Sequence, residues 1–198
     1  MATMQAVCVF CGSSMGNGPI FRGAAESLGR ELAHRRLDLT YGGGNVGLMG
    51  AIADATLAAG GTVNGYIPRS LMEKEGAHRG LSELEVLGSM HERKAAMEAH
   101  ADAFIALPGG FGTLDELCEI LTWAQLGIHR KPIGLLDVDG YFDHLLAFFD
   151  ASVERGFLRA DHRTLLLSDT DPASLLDRMA AWQPTVAPKW TTAPVPTP

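Results

Sequence analysis

The chain has no long apolar run, no surplus of basic residues and few cysteines. No run approaches the roughly 20 apolar residues of a membrane-spanning helix, so we expect no membrane partner. Lys and Arg number 16 against 23 Asp and Glu, a net charge of −7. The basic face needed for general nucleic-acid binding is therefore missing. Residues 1–5 lack the basic flank and apolar core of a signal peptide, and we predict a cytoplasmic protein.

The three cysteines are too few and odd in number for a disulfide framework, and they fit a reducing compartment. Cys8 and Cys11 have C-x-x-C spacing, but residues three apart on one strand point to opposite faces. We predict that both are plain core cysteines. The seven histidines show no helical metal-ligand spacing joined by a third ligand, so no metal site is predicted.

Predicted strands and helices alternate along the chain, which indicates an α/β fold with a mostly parallel sheet covered by helices on both faces. Residues 1–182 fit a single domain, and the proline- and threonine-rich stretch 183–198 predicts a disordered tail. The polar, aperiodic stretch 69–80 predicts a mobile loop or lid. The predicted strands are 6–10, 37–41, 62–67, 84–87, 103–107, 133–136 and 165–167. The predicted helices are 19–34, 48–59, 89–100, one from the turn at 108–116 to 127, 141–155 and 171–182.

The stretch 108–116, Pro-Gly-Gly-Phe-Gly-Thr-Leu-Asp-Glu, joins a buried strand to an amphipathic helix. Gly109, Gly110 and Gly112 let the backbone turn tightly and approach a ligand closely. The helix start offers unpaired N–H groups and the positive end of the helix dipole. This junction therefore predicts a phosphate site.

Glu116 has two interpretations at this level. Thr113 and Glu116 have the spacing of a capping box, in which the carboxylate only satisfies the backbone at the helix start. Alternatively, Glu116 acts on a sugar whose phosphate is held by the same helix start. The local pattern does not decide between them, although capping does not require so many glycines.

The helix after Ser89 places two cations on its apolar stripe, which runs through Met90, Arg93, Lys94 and Met97. A buried cation is costly unless it is paired, and a phosphate or Glu116 would supply that pairing. The alternative is that both side chains extend to the surface from the edge of the stripe, which is a serious rival for Lys94. Arg93 is the better functional candidate, because its planar fork suits carboxylate or phosphate.

Gly42, Gly44 and Gly47 satisfy the dinucleotide-binding pattern G-x-G-x-x-G between a strand and a helix. The motif follows the second predicted strand, whereas the dinucleotide-binding motif follows the first. About twenty residues further on, a dinucleotide-binding chain has an acid that binds ribose, and this chain has Thr-Val-Asn at 62–64 instead. A mononucleotide or sugar phosphate fits this loop better than a dinucleotide. The remaining alternative is a tight turn without any ligand.

Three of these pieces together resemble the LONELY GUY (LOG) family of cytokinin riboside 5′-monophosphate phosphoribohydrolases, often mislabelled as lysine decarboxylases. The matching pieces are 42–50, Gly-Gly-Gly-Asn-Val-Gly-Leu-Met-Gly; 90–94, Met-His-Glu-Arg-Lys; and 108–116, in the family form P-G-G-x-G-T-x-x-E. Their order and spacing also match, and the similarity runs from about residue 5 to 182. The family often has Glu-Glu where this chain has Asp115-Glu116, a departure that leaves the catalytic position unaltered.

The resemblance implies a three-layer Rossmann-like fold, a homodimer and no cofactor. It implies hydrolysis of the N-glycosidic bond of an N6-modified adenosine 5′-monophosphate, or of AMP itself, to give the free base and ribose 5-phosphate. Glu116 would be the catalytic acid residue and Arg93 its partner. The predicted substrate- and phosphate-binding residues are Ser13, Gly43, Gly44, Met90, Lys94, Gly109, Gly110, Gly112 and Thr113.

Three rival functions are weaker on sequence grounds. Lysine decarboxylation needs a Schiff-base lysine with a supporting acid, and Lys94 is the only central lysine. An NAD(P)-dependent oxidoreductase would need the ribose-binding acid that is absent. A non-catalytic carrier of a nucleotide-containing cofactor is the rival from another class, distinguished by binding without release of base.

Overall fold

The computed structural model describes residues 4–183, and its centre is a parallel sheet with strand order β4-β3-β2-β1-β5-β6-β7. The strands are β1 Ala6–Phe10, β2 Asp38–Tyr41, β3 Val63–Pro68, β4 Glu83–Leu87, β5 Ala103–Ala106, β6 Ile133–Leu136 and β7 Leu166–Asp169. The helices are α1 Pro19–His34, α2 Gly47–Ala58, α3 Arg69–Glu75, α4 Met90–His100, α5 Phe111–Leu126, α6 Asp143–Glu154, α7 Ala160–Arg163 and α8 Pro172–Ala181.

Helices cover both faces of the sheet, because successive side chains of each buried strand point to opposite sides. On β1, Val7 and Val9 join the core cluster that α1, α2 and α8 complete. Cys8 and Phe10 join the opposite cluster, to which α4 and α5 contribute. The predicted Rossmann-like three-layer fold is therefore confirmed.

The order of the strands reverses between β1 and β5. The chain builds β1 to β4 outward in one direction, and α4 then returns it to the centre, where β5 pairs with β1. In open parallel sheets, ligands bind at the carboxyl ends of the strands beside such a reversal. The topology therefore predicts a ligand site at the carboxyl ends of β1 and β5.

The predicted element bounds agree with the structure within about two residues at most ends. The interpretation of 69–80 as an aperiodic loop is wrong, because residues Arg69–Glu75 form α3 after the extended Pro68. Seven residues are too few to display helical periodicity in a sequence, and a lid function there stays a prediction. The four-residue α7 was also not predicted.

The core prediction for the cysteines is confirmed. Cys8 and Cys11 are free, buried and placed in the opposite core clusters. Among residues 4–183, no helix is both long and apolar enough to cross a membrane. The predicted disordered tail, apart from Gln183, lies outside the described residues.

Candidate active site

Three glycine-rich junctions meet at the carboxyl ends of β1, β2 and β5. The Gly12 amide donates to the Pro108 carbonyl at 3.1 Å, and the Leu48 amide donates to the Gly12 carbonyl at 3.0 Å. Gly47 has φ +59°, and a Cβ there would collide with the backbone of Ser13. A Cβ on Gly109 would lie 2.8 Å from the Gly12 nitrogen. The junctions therefore pack together at a spacing that only glycine permits.

The first turn of α5 is open to a ligand. Gly110 is the N-cap residue, and no side chain caps the helix there. By contrast, α4 and α8 are capped by Ser89 and Asp171, whose side chains accept from backbone amides. A Cβ on Gly110 or Gly112 would face open space. The free amides and helix dipole of this turn suit an anion.

A cavity of about 290 Å³ lies against this turn. It contains seven of the predicted site residues: Ser13, Met90, Arg93, Gly110, Gly112, Thr113 and Glu116. A neighbouring cavity of similar volume shares Ser13 and Gly110 with the first and adds Gly109. The Tyr141 hydroxyl donates to the Gly109 carbonyl at 2.7 Å in this second cavity.

Arg93 and Glu116 form a buried ion pair in the wall of the first cavity. Arg93 is 9% exposed and Glu116 is 7% exposed, and an Nη2 hydrogen of Arg93 is donated to Glu116 Oε1. The Nε of Arg93 is buried without a hydrogen-bond partner in the described part of the chain. Burial raises the pKa of Glu116, while the Arg93 guanidinium opposes that rise. The site thus holds a buried carboxyl group in the same cavity as the uncapped start of α5.

The capping-box alternative for Glu116 is wrong. The helix begins at Phe111 with Gly110 as N-cap, so Thr113 lies inside the first turn and is not the capping residue. The Glu116 side chain is directed to Arg93 on α4. The Glu116 carboxylate therefore does not cap the start of α5.

Lys94 does not line either cavity. Its Nζ donates to Asp115 Oδ2 at 3.1 Å and to Glu119 Oε1 at 3.0 Å. Burial lowers the pKa of Lys94, but the hydrogen bonds to Glu119 and Asp115 outweigh it and raise the pKa overall. The partners predicted for this cation, a phosphate or Glu116, are not the ones that Lys94 has: its two acceptors are the α5 side chains Asp115 and Glu119.

Gly43 and Gly44 also do not line the cavity. Gly43 has φ +74° and packs near Ile67, and the Gly44 carbonyl accepts from the Tyr41 hydroxyl at 3.0 Å. The glycine of this loop that reaches the cavity is Gly42, where a Cβ would lie 3.5 Å from Arg93 Cζ. Gly42 therefore lies beside the guanidinium, while the next two residues do not line the cavity.

Sequence reasoning missed several wall residues. Leu71 reaches the cavity from α3, a helix too short for its periodicity to be recognised in the sequence. Phe111, 93% exposed at the first position of α5, lies at the cavity mouth. Cys11 is 8% exposed in the wall, and burial together with the nearby Glu116 carboxylate raises the pKa of its thiol. Its place at the end of β1 was the available signal.

Within residues 4–183 no group of three or more His, Cys, Asp or Glu side chains could hold a metal ion.

Comparison with known proteins gives consistent matches. Residues 49–179 match the family model described as "Possible lysine decarboxylase". A rice protein (Oryza sativa subsp. japonica), "Probable cytokinin riboside 5′-monophosphate phosphoribohydrolase LOGL9", is 53% identical over 178 residues, covering 90% of this chain and 78% of its own. The Arabidopsis thaliana "Cytokinin riboside 5′-monophosphate phosphoribohydrolase LOG5" is 51% identical with the same coverage.

A solved structure shares the fold at lower identity. The molybdenum cofactor carrier protein of Chlamydomonas reinhardtii superposes with a TM-score of 0.69 at 20% identity, covering 90% of this chain and 99% of its own. At that identity the likeness concerns the fold alone.

Proposed function

Because this chain belongs to the LOG family of cytokinin riboside 5′-monophosphate phosphoribohydrolases, we propose that it hydrolyses the N-glycosidic bond of N6-modified adenosine 5′-monophosphates. The products are the free base and ribose 5-phosphate. AMP, which has the same phosphate and ribose, is a second proposed substrate. The protein is an enzyme of the phosphoribohydrolase class.

The observation that carries this function is the buried Glu116–Arg93 pair beside the uncapped start of α5. In the proposed complex, the 5′-phosphate accepts hydrogen bonds from the first-turn amides around Gly110 and Gly112. The ribose then lies over the second turn, where Glu116 reaches the cavity. With its phosphate bound at the helix start, the nucleotide has its N-glycosidic bond within reach of the Glu116 carboxylate.

The proposed chemistry needs a carboxylate near the anomeric carbon. As the C1′–N9 bond breaks, positive charge develops on the ribose, and the Glu116 carboxylate stabilises that charge. The base leaves with the electrons of the C1′–N9 bond, and a water oxygen bonds to C1′. One proton of that water passes to the base, and the other stays on the oxygen as the C1′ hydroxyl of the sugar. The Arg93 guanidinium favours the ionised form of Glu116, because it lowers the pKa that burial raises.

The other predicted binding residues form two groups, those that line a cavity and those that do not. Ser13, Met90, Gly109, Gly110, Gly112 and Thr113 line one or both cavities, and we propose direct substrate contacts for them. Gly43, Gly44 and Lys94 line neither cavity. For these three, a supporting role behind the residues that line the cavities fits the geometry better than a direct contact.

The function is tested by incubating the purified protein with AMP and with N6-isopentenyl AMP, and separating the free bases by chromatography. We expect release of adenine, of isopentenyladenine or of both, together with ribose 5-phosphate in equal amount. Binding of both nucleotides without any release of base would overturn the proposal in favour of a carrier. An absorbance band of a pyridoxal aldimine with lysine consumption would favour decarboxylation instead.

We also propose a homodimer that forms through α6 and the adjoining end of α5. No residue of α6 is buried, although the helix carries Leu145, Leu146, Phe148 and Phe149. Phe148 is 65% exposed and Ile128, beyond the end of α5, is 63% exposed. Such exposed apolar groups are typical of interaction surfaces. Light scattering should give twice the monomer mass for the native chain and the monomer mass for Phe148→Ser combined with Ile128→Ser.

A single domain at residues 1–182 and a cytoplasmic location stay proposals from the sequence.

A further inference from the structure

Lys94 ties two carboxylates of α5 together from the neighbouring helix. Its Nζ lies 3.1 Å from Asp115 Oδ2 and 3.0 Å from Glu119 Oε1, and its side chain is only 12% exposed. Asp115 directly precedes Glu116, and Glu119 follows it by three residues. The ammonium group therefore contacts α5 on both sides of Glu116.

We propose that Lys94 is a positioning residue, which fixes the first turns of α5 against α4 so that Glu116 meets both Arg93 and the cavity. This inference rests on the proposed function of Glu116. Lys94 follows Arg93 in the chain, so one turn of α4 supplies both contacts to α5. A helix held at two points about one turn apart can neither slide nor rotate freely, which preserves the geometry that catalysis needs.

A direct contact between Lys94 and the substrate phosphate fits the structure less well. The ammonium has three hydrogens, and two acids already accept from it. A phosphate would have to displace carboxylates from a group that lines neither cavity. The structure therefore separates Lys94 from Arg93, although the two are adjacent in sequence and carry the same charge.

Lys94 also acts on Glu116 electrostatically. The ionisable groups around the Glu116 carboxyl are Arg93 and Lys94 on α4, Asp115 and Glu119 on α5, and the thiols Cys8 and Cys11 at β1. The Lys94 ammonium lowers the pKa of Glu116, and the Asp115 carboxylate raises it. Loss of Lys94 removes the first effect and leaves the acids it neutralised uncompensated.

The test compares Lys94→Met, Lys94→Arg and Asp115→Asn in steady-state kinetics over a range of pH. We expect Lys94→Met to lower kcat about 10-fold with KM unchanged within about 2-fold. The acid limb of its kcat profile should move to higher pH, because the ionised carboxylate is less favoured. Lys94→Arg should restore most of kcat, and Asp115→Asn should move the acid limb to lower pH.

A rise in KM at unchanged kcat and an unmoved acid limb would overturn the proposal, since that pattern belongs to a direct substrate contact. Carbon-13 NMR titration of the Glu116 side chain provides a readout without turnover. A higher pKa in Lys94→Met, or in Lys94→Gln if the first variant unfolds, supports the proposal, and an unchanged value contradicts it. If the native chain releases no base, the function fails while this titration still decides the role of Lys94.

Discussion

Two neighbouring side chains of α4 meet acids of α5, yet their surroundings differ sharply. Arg93 and Glu116 are about one-tenth exposed or less, and both line the cavity. Lys94 meets Asp115 and Glu119, whose side chains are 62% and 25% exposed. Similar charges on the same two helices thus form one desolvated pair and one partly solvated cluster.

The difference shows what desolvation contributes to the site. Burial raises the pKa of Glu116, so its ionised form is held by Arg93 instead of by water. A carboxylate without a hydration shell can respond directly to positive charge on a substrate. Because Asp115 and Glu119 are partly exposed, solvent and salt screen the Lys94 cluster.

The largest effect is expected for Glu116→Gln, which keeps the shape of the side chain but removes its charge. Turnover of N6-isopentenyl AMP should fall about 10³-fold, because the developing positive charge loses its stabilising anion. Glu154→Gln is the matched control, since Glu154 ends α6 and is exposed. Its turnover should stay near that of the native chain. Equal losses in both variants, or native turnover in Glu116→Gln, would remove the distinction between the buried and exposed acids.

Arg93→Ala should have the next largest effect, on both activity and stability. It leaves Glu116 buried without its partner, which we expect to cost about 3 kcal/mol of unfolding free energy and about 10²-fold in turnover. Because Arg93 lowers the pKa of Glu116, its removal raises that pKa further. The acid limb of the residual activity should therefore lie at higher pH than that of the native chain.

Arg22→Ala is the control for stability, because Arg22 is 63% exposed in its pair with Glu26. Chemical denaturation should show a change of only a few tenths of a kcal/mol for this surface pair. If Arg93→Ala lowers the free energy of unfolding no more than Arg22→Ala does, breaking the buried pair costs no more than breaking a surface pair.

The parallel sheet and the pairing of Arg93 with Glu116 could be predicted from the sequence, whereas the detailed contacts of the site could not. Apolar runs such as 103–107 specify buried strands locally, and a cation on an apolar stripe requires a partner wherever the helix packs. Arg93 and Glu116 could therefore be proposed together. The direction of the Glu116 side chain, toward α4 and away from the helix start, depends on how the two helices pack.

The remaining contacts arise from long-range packing. Lys94 and Arg93 are adjacent cations, and only the relative position of α4 and α5 sends one to the cavity and the other to Glu119. Leu71 enters the wall because β3 places α3 beside the cavity, although the local pattern of α3 is short and weak. Gly42 replaces Gly43 as the cavity residue because of the turn made after β2. None of these positions follows from spacing along the chain.

The smallest effect is expected for the coupling between Lys94 and Glu119, measured by a double-mutant cycle with Lys94→Met and Glu119→Gln. The coupling free energy of unfolding should be below about 1 kcal/mol, because the 3.0 Å ion pair is partly solvated and also shared with Asp115. Added salt at about 0.5 M should reduce it further. A coupling near 3 kcal/mol that salt does not change would mean that this pair is desolvated like Arg93 and Glu116. A small coupling joined to a clear change in kcat would show that Lys94 matters for where Glu116 lies and how it titrates, and contributes little to the stability of the fold.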